Sequence, residues 1–286
     1  MPLIKPDLCI IGAGSGGLSI AAGAAQMGAR VVLIEGAEMG GDCLNAGCVP
    51  SKTLLAAAKT AHLMRQGGKG ISGPAPDIDF AAIKDHIAAT IAQIAPVDSQ
   101  ERFEALGVQV IRAWASFTNP REVQAGEFTI RARRFIIATG STPAIPQVPG
   151  LETIPYLTNE TIFAQRDCPA HLLVLGAGPI GVEMAQAHLR LGCAVTLMTR
   201  STVLPRDDVD AAEVVKAALR AEGGQVIEGQ DIARLRTLPD GVEAVLTDGQ
   251  VITGSHLLVA TGRQVMLDRL NLPAAGVAFT NKGVTV

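Results

Sequence analysis

Aromatic residues are scarce in this chain: one Trp, one Tyr and seven Phe make up 3% of its 286 residues. Packing therefore falls to Ala, Val, Ile and Leu, within an apolar fraction of 48% that suffices for substantial cores. A basic surplus is also lacking. The net charge of −3 and pI near 6.0 argue against the strongly basic face of a nucleic-acid binder, and no run of like charges marks an interaction tail. Cysteines are few and odd in number: Cys9, Cys43, Cys48, Cys168 and Cys193. Such scatter along a long chain excludes a secreted disulfide framework and fits a reducing, cytoplasmic setting, where a disulfide is expected to be catalytic. No Cys-x-x-Cys or His-x-x-x-His pattern is present, so no zinc site is expected. An unbroken apolar span is missing too. No charge occurs from Leu8 to Ala29, with Lys5 just upstream, and that length would cross a bilayer. Gly12, Gly14, Gly16, Gly17, Gly23 and Gly28 break it into an apolar run, a turn and a small-residue helix, so no membrane partner is expected.

What is present is a repeat, over a length that suits two domains. DLCIIGAGSGGLSIAAGAAQMGARVVLIE begins at Asp7, and HLLVLGAGPIGVEMAQAHLRLGCAVTLMTR begins at His171. Both carry Gly-x-Gly-x-x-Gly, as Gly12, Gly14, Gly17 and as Gly176, Gly178, Gly181. Both place Ala four residues later (Ala21, Ala185) and Gly eleven later (Gly28, Gly192), ahead of a second apolar run. Each copy reads as strand, tight turn, helix and strand, with the short aliphatic runs LCII and LLVL as buried parallel strands. The first glycine allows the turn, the second lets backbone approach a pyrophosphate, and the third lets helix pack on strand. The helix N-terminus then offers N–H groups and partial positive charge to the phosphates.

A second pair reinforces the first. RRFIIATGSTP, with Thr139 and Gly140, and SHLLVATGRQ, with Gly262 and Arg263, both read as strands ending in Ala-Thr-Gly. Each follows a stretch of short turn-punctuated strands, around Val108–Ile130 and Val226–Val251. The expected fold is α/β: two Rossmann-like three-layer domains, each with a small antiparallel excursion. Domain boundaries are expected at 1–150 and 151–265, with 266–286 beginning a return to the first domain.

An acidic residue ending the second strand can hold the ribose hydroxyls of an adenosine. Eighteen residues after Gly17 that residue is Glu35, which suits FAD or NAD(H). Eighteen after Gly181 stands Thr199, followed by Arg200. Arginine pairs bidentately with a 2′-phosphate that a carboxylate would repel, which favours NADP(H) over NAD(H) at the second site.

Between the repeats lies GGDCLNAGCVPSK, Gly40 to Lys52, with Gly41 and Asp42 ahead of Cys43. Pro50 suits the first turn of the helix LLAAAKTAHLM, so Cys48 is expected just before a helix N-terminus, where the dipole favours thiolate. Cys9 and Cys193 read as small core residues, and Cys168 has no visible partner.

GGDCLNAGCVPSK between two such fingerprints resembles the class I pyridine nucleotide–disulfide oxidoreductases, among them mercuric reductase, dihydrolipoamide dehydrogenase and glutathione reductase. TRSTVLPRDD after the second fingerprint is most like the mercuric reductase subgroup. The resemblance implies FAD along the first domain and NAD(P)H docked from the second, with electrons passing through flavin to a Cys43–Cys48 disulfide. It implies that Cys48 contacts the flavin and Cys43 meets a small-molecule disulfide or metal-thiolate substrate. Lys52 and Glu183 look like the family's ion pair near the flavin, and Arg263 like a further cofactor contact. Asp42 departs from the family's usual Thr and is expected to raise the Cys43 pKa by like-charge repulsion.

Family members continue past the equivalent of Val286 into an interface domain that supplies homodimer contacts and an acid/base pair. The expectation is thus a reductase that is either truncated or represented only in part. None of His62, His86, His171, His188 and His256 matches the family's acid/base histidine, and each reads as a surface or helix-face residue. The alternatives are a nucleotide-binding remnant without turnover, or a two-nucleotide oxidase or monooxygenase without disulfide chemistry.

Overall fold

The aliphatic runs ahead of the two glycine fingerprints become central strands of two parallel sheets, in a computed structural model that describes residues 2–285. Val286, the last residue of the expected return segment, lies outside the described residues. Two compact units result. The first comprises Met1–Val49, Thr90–Thr142 and Arg263–Val286, and the second comprises Pro50–Ala89 and Pro143–Gly262. The units break after Val49, Ala89, Thr142 and Gly262. Residues 50–89 group with the second unit, an excursion of the chain that one linear cut does not describe.

In the first unit Leu8–Ile11 pairs in parallel with Val31–Glu35 and with Arg134–Ile137, and Gln109–Arg112 completes the four-stranded sheet. Side chains alternate between its faces, as the two-residue strand period requires. Ile10 and Leu33 pack with Leu18 and Ala21 of the helix Ser15–Gln26. Cys9, Ile11, Val32 and Ile34 pack on Phe117, Val123 and Ile130 of an antiparallel layer. Each such aliphatic side chain removed from water contributes about 1.5–3 kcal/mol. Three layers follow from strands apolar on both faces.

The second unit repeats the plan. Its parallel sheet runs in the order Tyr156–Leu157, His256–Val259, His171–Leu175, Ala194–Met198, Gln225–Ile227. Leu173, Leu175, Leu257 and Val259 face an antiparallel layer of Ile232–Leu238, Gly241–Leu246 and Val251–Gly254. That layer shows the alternation its sister sheet lacks: in Gly241–Leu246 every second residue is buried, because one face meets solvent.

Both excursions begin later than the sequence suggests. Gln109–Arg112 and Gln225–Ile227 join the parallel sheets as edge strands, and only the strands after them form the antiparallel layers. Their hydrophobic pattern is that of an edge, which sequence alone does not separate from a hairpin strand. Among the described residues no helix is long and apolar enough to cross a membrane.

Candidate functional site

In the first unit the Gly12–Gly14 loop joins strand to helix. Gly12 has φ +108°, and a Cβ there would overlap the Ala138 carbonyl. A Cβ on Gly17 would overlap the carbonyl oxygen of Gly12. Gly14 differs: a Cβ would meet nothing nearer than the Gly41 Cα at 3.9 Å. First and third glycines are thus packed shut and the second is open, as a loop shaped around a diphosphate requires. This also explains the repeated Ala-Thr-Gly: the Ala carbonyl is the surface against which the first glycine turns. Gly140 follows with φ +68°. The helix Ser15–Gln26 has Gly14 as N-cap and takes no side-chain capping hydrogen bond, which leaves its first N–H groups for a phosphate.

Glu35 ends its strand as expected and is nearly buried. Its carboxylate accepts from the Ala13 N–H at 2.5 Å and from the Ala37 N–H at 2.7 Å. It therefore braces the glycine loop, and lone pairs beyond those two bonds can accept from a ribose.

The Gly40–Cys48 loop is packed onto this cradle within the same unit. Gly40 donates its N–H to the Ala13 carbonyl at 2.9 Å. Gly41 has φ +59°, and a Cβ there would come within 2.7 Å of the Gly14 Cα, so the Gly-Gly pair is a steric need. Cys43 lies in the one-turn helix Gly41–Asn45, and Cys48 is the first residue of the helix Cys48–Gln66. The helix therefore starts at Cys48 itself rather than just after it. The Cys43 thiol hydrogen-bonds both the Cys48 thiol and the Cys48 backbone. Burial, then the Cys48 thiol, and more remotely the Asp98 carboxylate push the Cys43 thiol up to about 11. The rise is in the expected direction, but its source is not the expected one. Asp42 is engaged by Arg263, with Nη2 to Oδ1 at 3.1 Å, and burial rather than its repulsion leads the shift.

Arg263 ties the Gly40–Cys48 loop, through Asp42, to the first Ala-Thr-Gly turn. Its Nε donates to Ser141 Oγ at 2.7 Å and its Nη2 to the Ser141 carbonyl at 2.6 Å. Among the described residues its buried Nη1 has no hydrogen-bond partner, a donor that a bound phosphate or ring carbonyl would satisfy. Closed first and third glycines, an open second one and this orphan donor together fit a flavin dinucleotide.

The second unit carries the equivalent cradle. Gly176, at φ +106°, turns against the Ala260 carbonyl, and Gly181 packs on Gly176. No atom lies within 4 Å of a Cβ on Gly178. The helix Pro179–Arg190 starts at Pro, and Gly262 at φ +146° lies in open space. Thr199 is buried after the strand Ala194–Met198 and Arg200 is exposed. The residues present fit a second dinucleotide. Lys52 Nζ and Glu183 Oε1, 131 residues apart in sequence, form an ion pair at 2.6 Å, with side chains 60% and 32% exposed.

Two expectations about single residues change, and one further residue enters. His188 is fully buried, not a surface residue: its Nδ1 meets the Met184 carbonyl at 2.8 Å and its ring lies 5.8 Å from that of Phe80. Cys168 has a partner, the buried Cys193. Lys84, which sequence reasoning passed over, is only 4% exposed. Its signal was its place on the apolar stripe Phe80, Lys84, Ile87 of the helix Phe80–Ile94.

Two glycine-loop cradles of α/β type and a thiol pair built onto the first of them define a two-nucleotide, dithiol-bearing class of protein. The pyridine nucleotide-disulphide oxidoreductase family model matches residues 6–286, and the chain belongs to that family. FAD and a pyridine nucleotide are the cofactors this membership implies. The chain is 35% identical to mercuric reductase of Streptomyces lividans over 98% of its own length and 61% of that protein. It is 36% identical to mercuric reductase of Acidithiobacillus ferrooxidans, over 98% of this chain and 52% of that one. Among solved structures it is similar to the Cu(II) complex of the HOCl-induced flavoprotein disulfide reductase RclA from Escherichia coli. There the TM-score is 0.87 with 28% identity, covering 99% of this chain and 62% of that one. The chain spans about half to three fifths of the length of these relatives.

Proposed function

We propose that the chain is the nucleotide-binding and dithiol part of a reductase that passes electrons from NAD(P)H to a disulfide or thiol-bound metal. The observation that carries this reading is the packing of Gly40–Gly41, which lead into the hydrogen-bonded Cys43–Cys48 pair, onto the Gly12–Gly14 loop. When bound, FAD supplies acceptance of a hydride and delivery of two electrons to a disulfide. The first unit, with Gly12, Gly14, Gly17, Glu35, Gly41, Thr139 and Gly140, would hold it. Gly176, Gly178, Gly181, Arg200 and Gly262 would hold the nicotinamide nucleotide.

The protein's own chemistry lies in the two thiols. Cys43, in its thiolate form, attacks a substrate disulfide and releases one thiol. Cys48 then attacks the mixed disulfide, releases the second thiol and closes Cys43–Cys48. The balance is NAD(P)H + H⁺ + RSSR giving NAD(P)⁺ + 2 RSH; a Hg(II) dithiolate would instead give Hg(0) and two thiols. Arg263 would set the position of Asp42 and the Gly40–Cys48 loop, and the Lys52–Glu183 ion pair would keep a proton-bearing cation in place, as the resemblance implies. Homodimerisation and a cytoplasmic location follow from the same resemblance.

The exposed Arg200, beside a Thr199 that carries no charge, supports NADP(H) as the nucleotide. Arg200→Glu is expected to weaken NADPH at least tenfold more than NADH, and equal losses would remove that preference.

The test of the whole reading uses FAD-loaded protein with NADPH, offered Hg(II) dithiolate, lipoamide and glutathione disulfide in turn. NADPH oxidation with one of them, two further thiols on reduction, and loss of both in Cys43→Ser are expected. Bound flavin with no turnover, and Cys48→Ser spectrally identical to wild type, would favour a nucleotide-binding remnant.

A further inference from the structure

The second unit holds another pair of sulfurs. Cys168 lies in the loop before the strand His171–Leu175, and Cys193 in the turn before Ala194–Met198. These strands are parallel neighbours in register His171 to Ala194, and the Ala194 N–H donates to the Ala170 carbonyl at 3.3 Å. The register therefore brings both cysteines to the same end of the sheet. Their Sγ atoms lie 2.7 Å apart, well inside the roughly 3.5–4.0 Å at which non-bonded heavy atoms settle. Exposure divides the pair: Cys168 is exposed, whereas Cys193 is 3% exposed.

A buried cation stands with them. Lys84 reaches in from the helix Phe80–Ile94, donates to the Ile162 carbonyl at 3.1 Å, and lies over the rings of Phe80 and Phe163 at 4.8 and 5.9 Å. Burial pushes it down to about 8, and the groups that act against this electrostatically are Cys193 and Cys168. A carbonyl and two ring faces leave an ammonium without full charge compensation. Burial pushes the Cys193 thiol up, with the neighbouring Cys168 adding to the rise and Lys84 acting against it.

We propose that Cys168 and Cys193 form a second dithiol–disulfide centre, one that exchanges with small-molecule disulfides of the glutathione kind. Cys168 is the attacking sulfur because it is the exposed one, and Cys193 resolves. The Cys168 thiolate attacks R–S–S–R: a Cys168–S–R bond forms as the substrate S–S bond breaks, and RS⁻ leaves. Cys193 gives its proton to the departing thiolate and attacks the Cys168 sulfur, which expels the second RS⁻ and closes Cys168–Cys193. In sum two protein thiols are oxidised and one R–S–S–R is reduced to two RSH. The closed loop runs through Gly176, Gly178, Gly181 and the helix Pro179–Arg190, so oxidation would tie down the whole second glycine cradle. The centre needs neither nucleotide nor the Cys43–Cys48 pair, so it stands apart from the reductase reading.

The full chain carrying Cys43→Ser and Cys48→Ser, incubated with glutathione disulfide, isolates this centre. Expected are a loss of two hydrogens in intact mass, a Cys168–Cys193 linked peptide without reductant, and a Tm raised by roughly 5–10 °C that dithiothreitol reverses. Adding Cys193→Ser should halt the reaction with one glutathionyl group on Cys168, and adding Cys168→Ser should abolish it. The same map on wild-type protein, which needs no substitution to fold, should show both cysteine pairs linked. Should Cys193 remain a thiol in wild type under conditions that fully oxidise Cys43 and Cys48, the proposal is overturned.

Discussion

Buried His188 makes the stability of this protein sensitive to mild acid in a way that can be worked out in advance. The imidazole is fully buried, and its buried Nε2 has no hydrogen-bond partner among the described residues. Burial, with the neighbouring Lys84 ammonium adding to it, pushes its pKa from 6.5 down to about 4. The folded protein thus keeps the ring neutral where the unfolded chain protonates it. Between pH 6.5 and about 4 the unfolded state binds more protons, so stability falls as the pH falls through that window. The two pKa values give a loss of about 2 kcal/mol between pH 7 and pH 5, and about 3 kcal/mol by pH 4. His188→Leu removes the titrating group at similar volume, and its own cost is the same at both pH values. Urea unfolding followed by circular dichroism at pH 7 and pH 5 therefore compares like with like. Wild type should lose about 2 kcal/mol more than His188→Leu over that interval, whatever the other groups contribute. Equal losses in the two proteins would refute the reasoning, because the ring would then be reaching water in the folded state.

Alkylation of Cys43 in the reduced protein should keep accelerating up to about pH 11, where burial has moved its titration; a plateau near the ordinary thiol value, read by peptide mass spectrometry, would contradict that. Gly17→Ala places a methyl against the Gly12 carbonyl oxygen, and backbone cannot yield as a side chain can. It should cost about 1–3 kcal/mol and weaken FAD at least tenfold in a fluorescence titration, whereas wild-type affinity would show that the loop is slack. Lys52→Met should change unfolding stability by no more than about 0.5 kcal/mol, because its ion pair with Glu183 is solvated; a larger loss would mean the pair supports the fold.

Much of the architecture was readable because glycine and aliphatic spacing answer to local geometry. The run Leu8–Ile11 is a strand at those very residues, and the helix that follows ends at Gln26, just ahead of Gly28. Gly12 and Gly17 can be no other residue where the chain turns against its own carbonyls, so the spacing alone announces the cradle. The nearness of Cys43 to Cys48 was likewise legible, since only four residues intervene and the second opens a helix.

Contacts between residues distant in sequence were decided by the tertiary structure. Strand register, not local pattern, carried Cys168 to Cys193, and helix placement buried Lys84 and His188 in a site that neither residue type advertises. The turning of Asp42 toward Arg263 belongs to the same class, because 221 residues separate them in the chain. Short-range sterics write themselves into glycine and apolar spacing. Which polar groups lose water, and which charges meet, depends on surfaces that exist only once the sheets have formed.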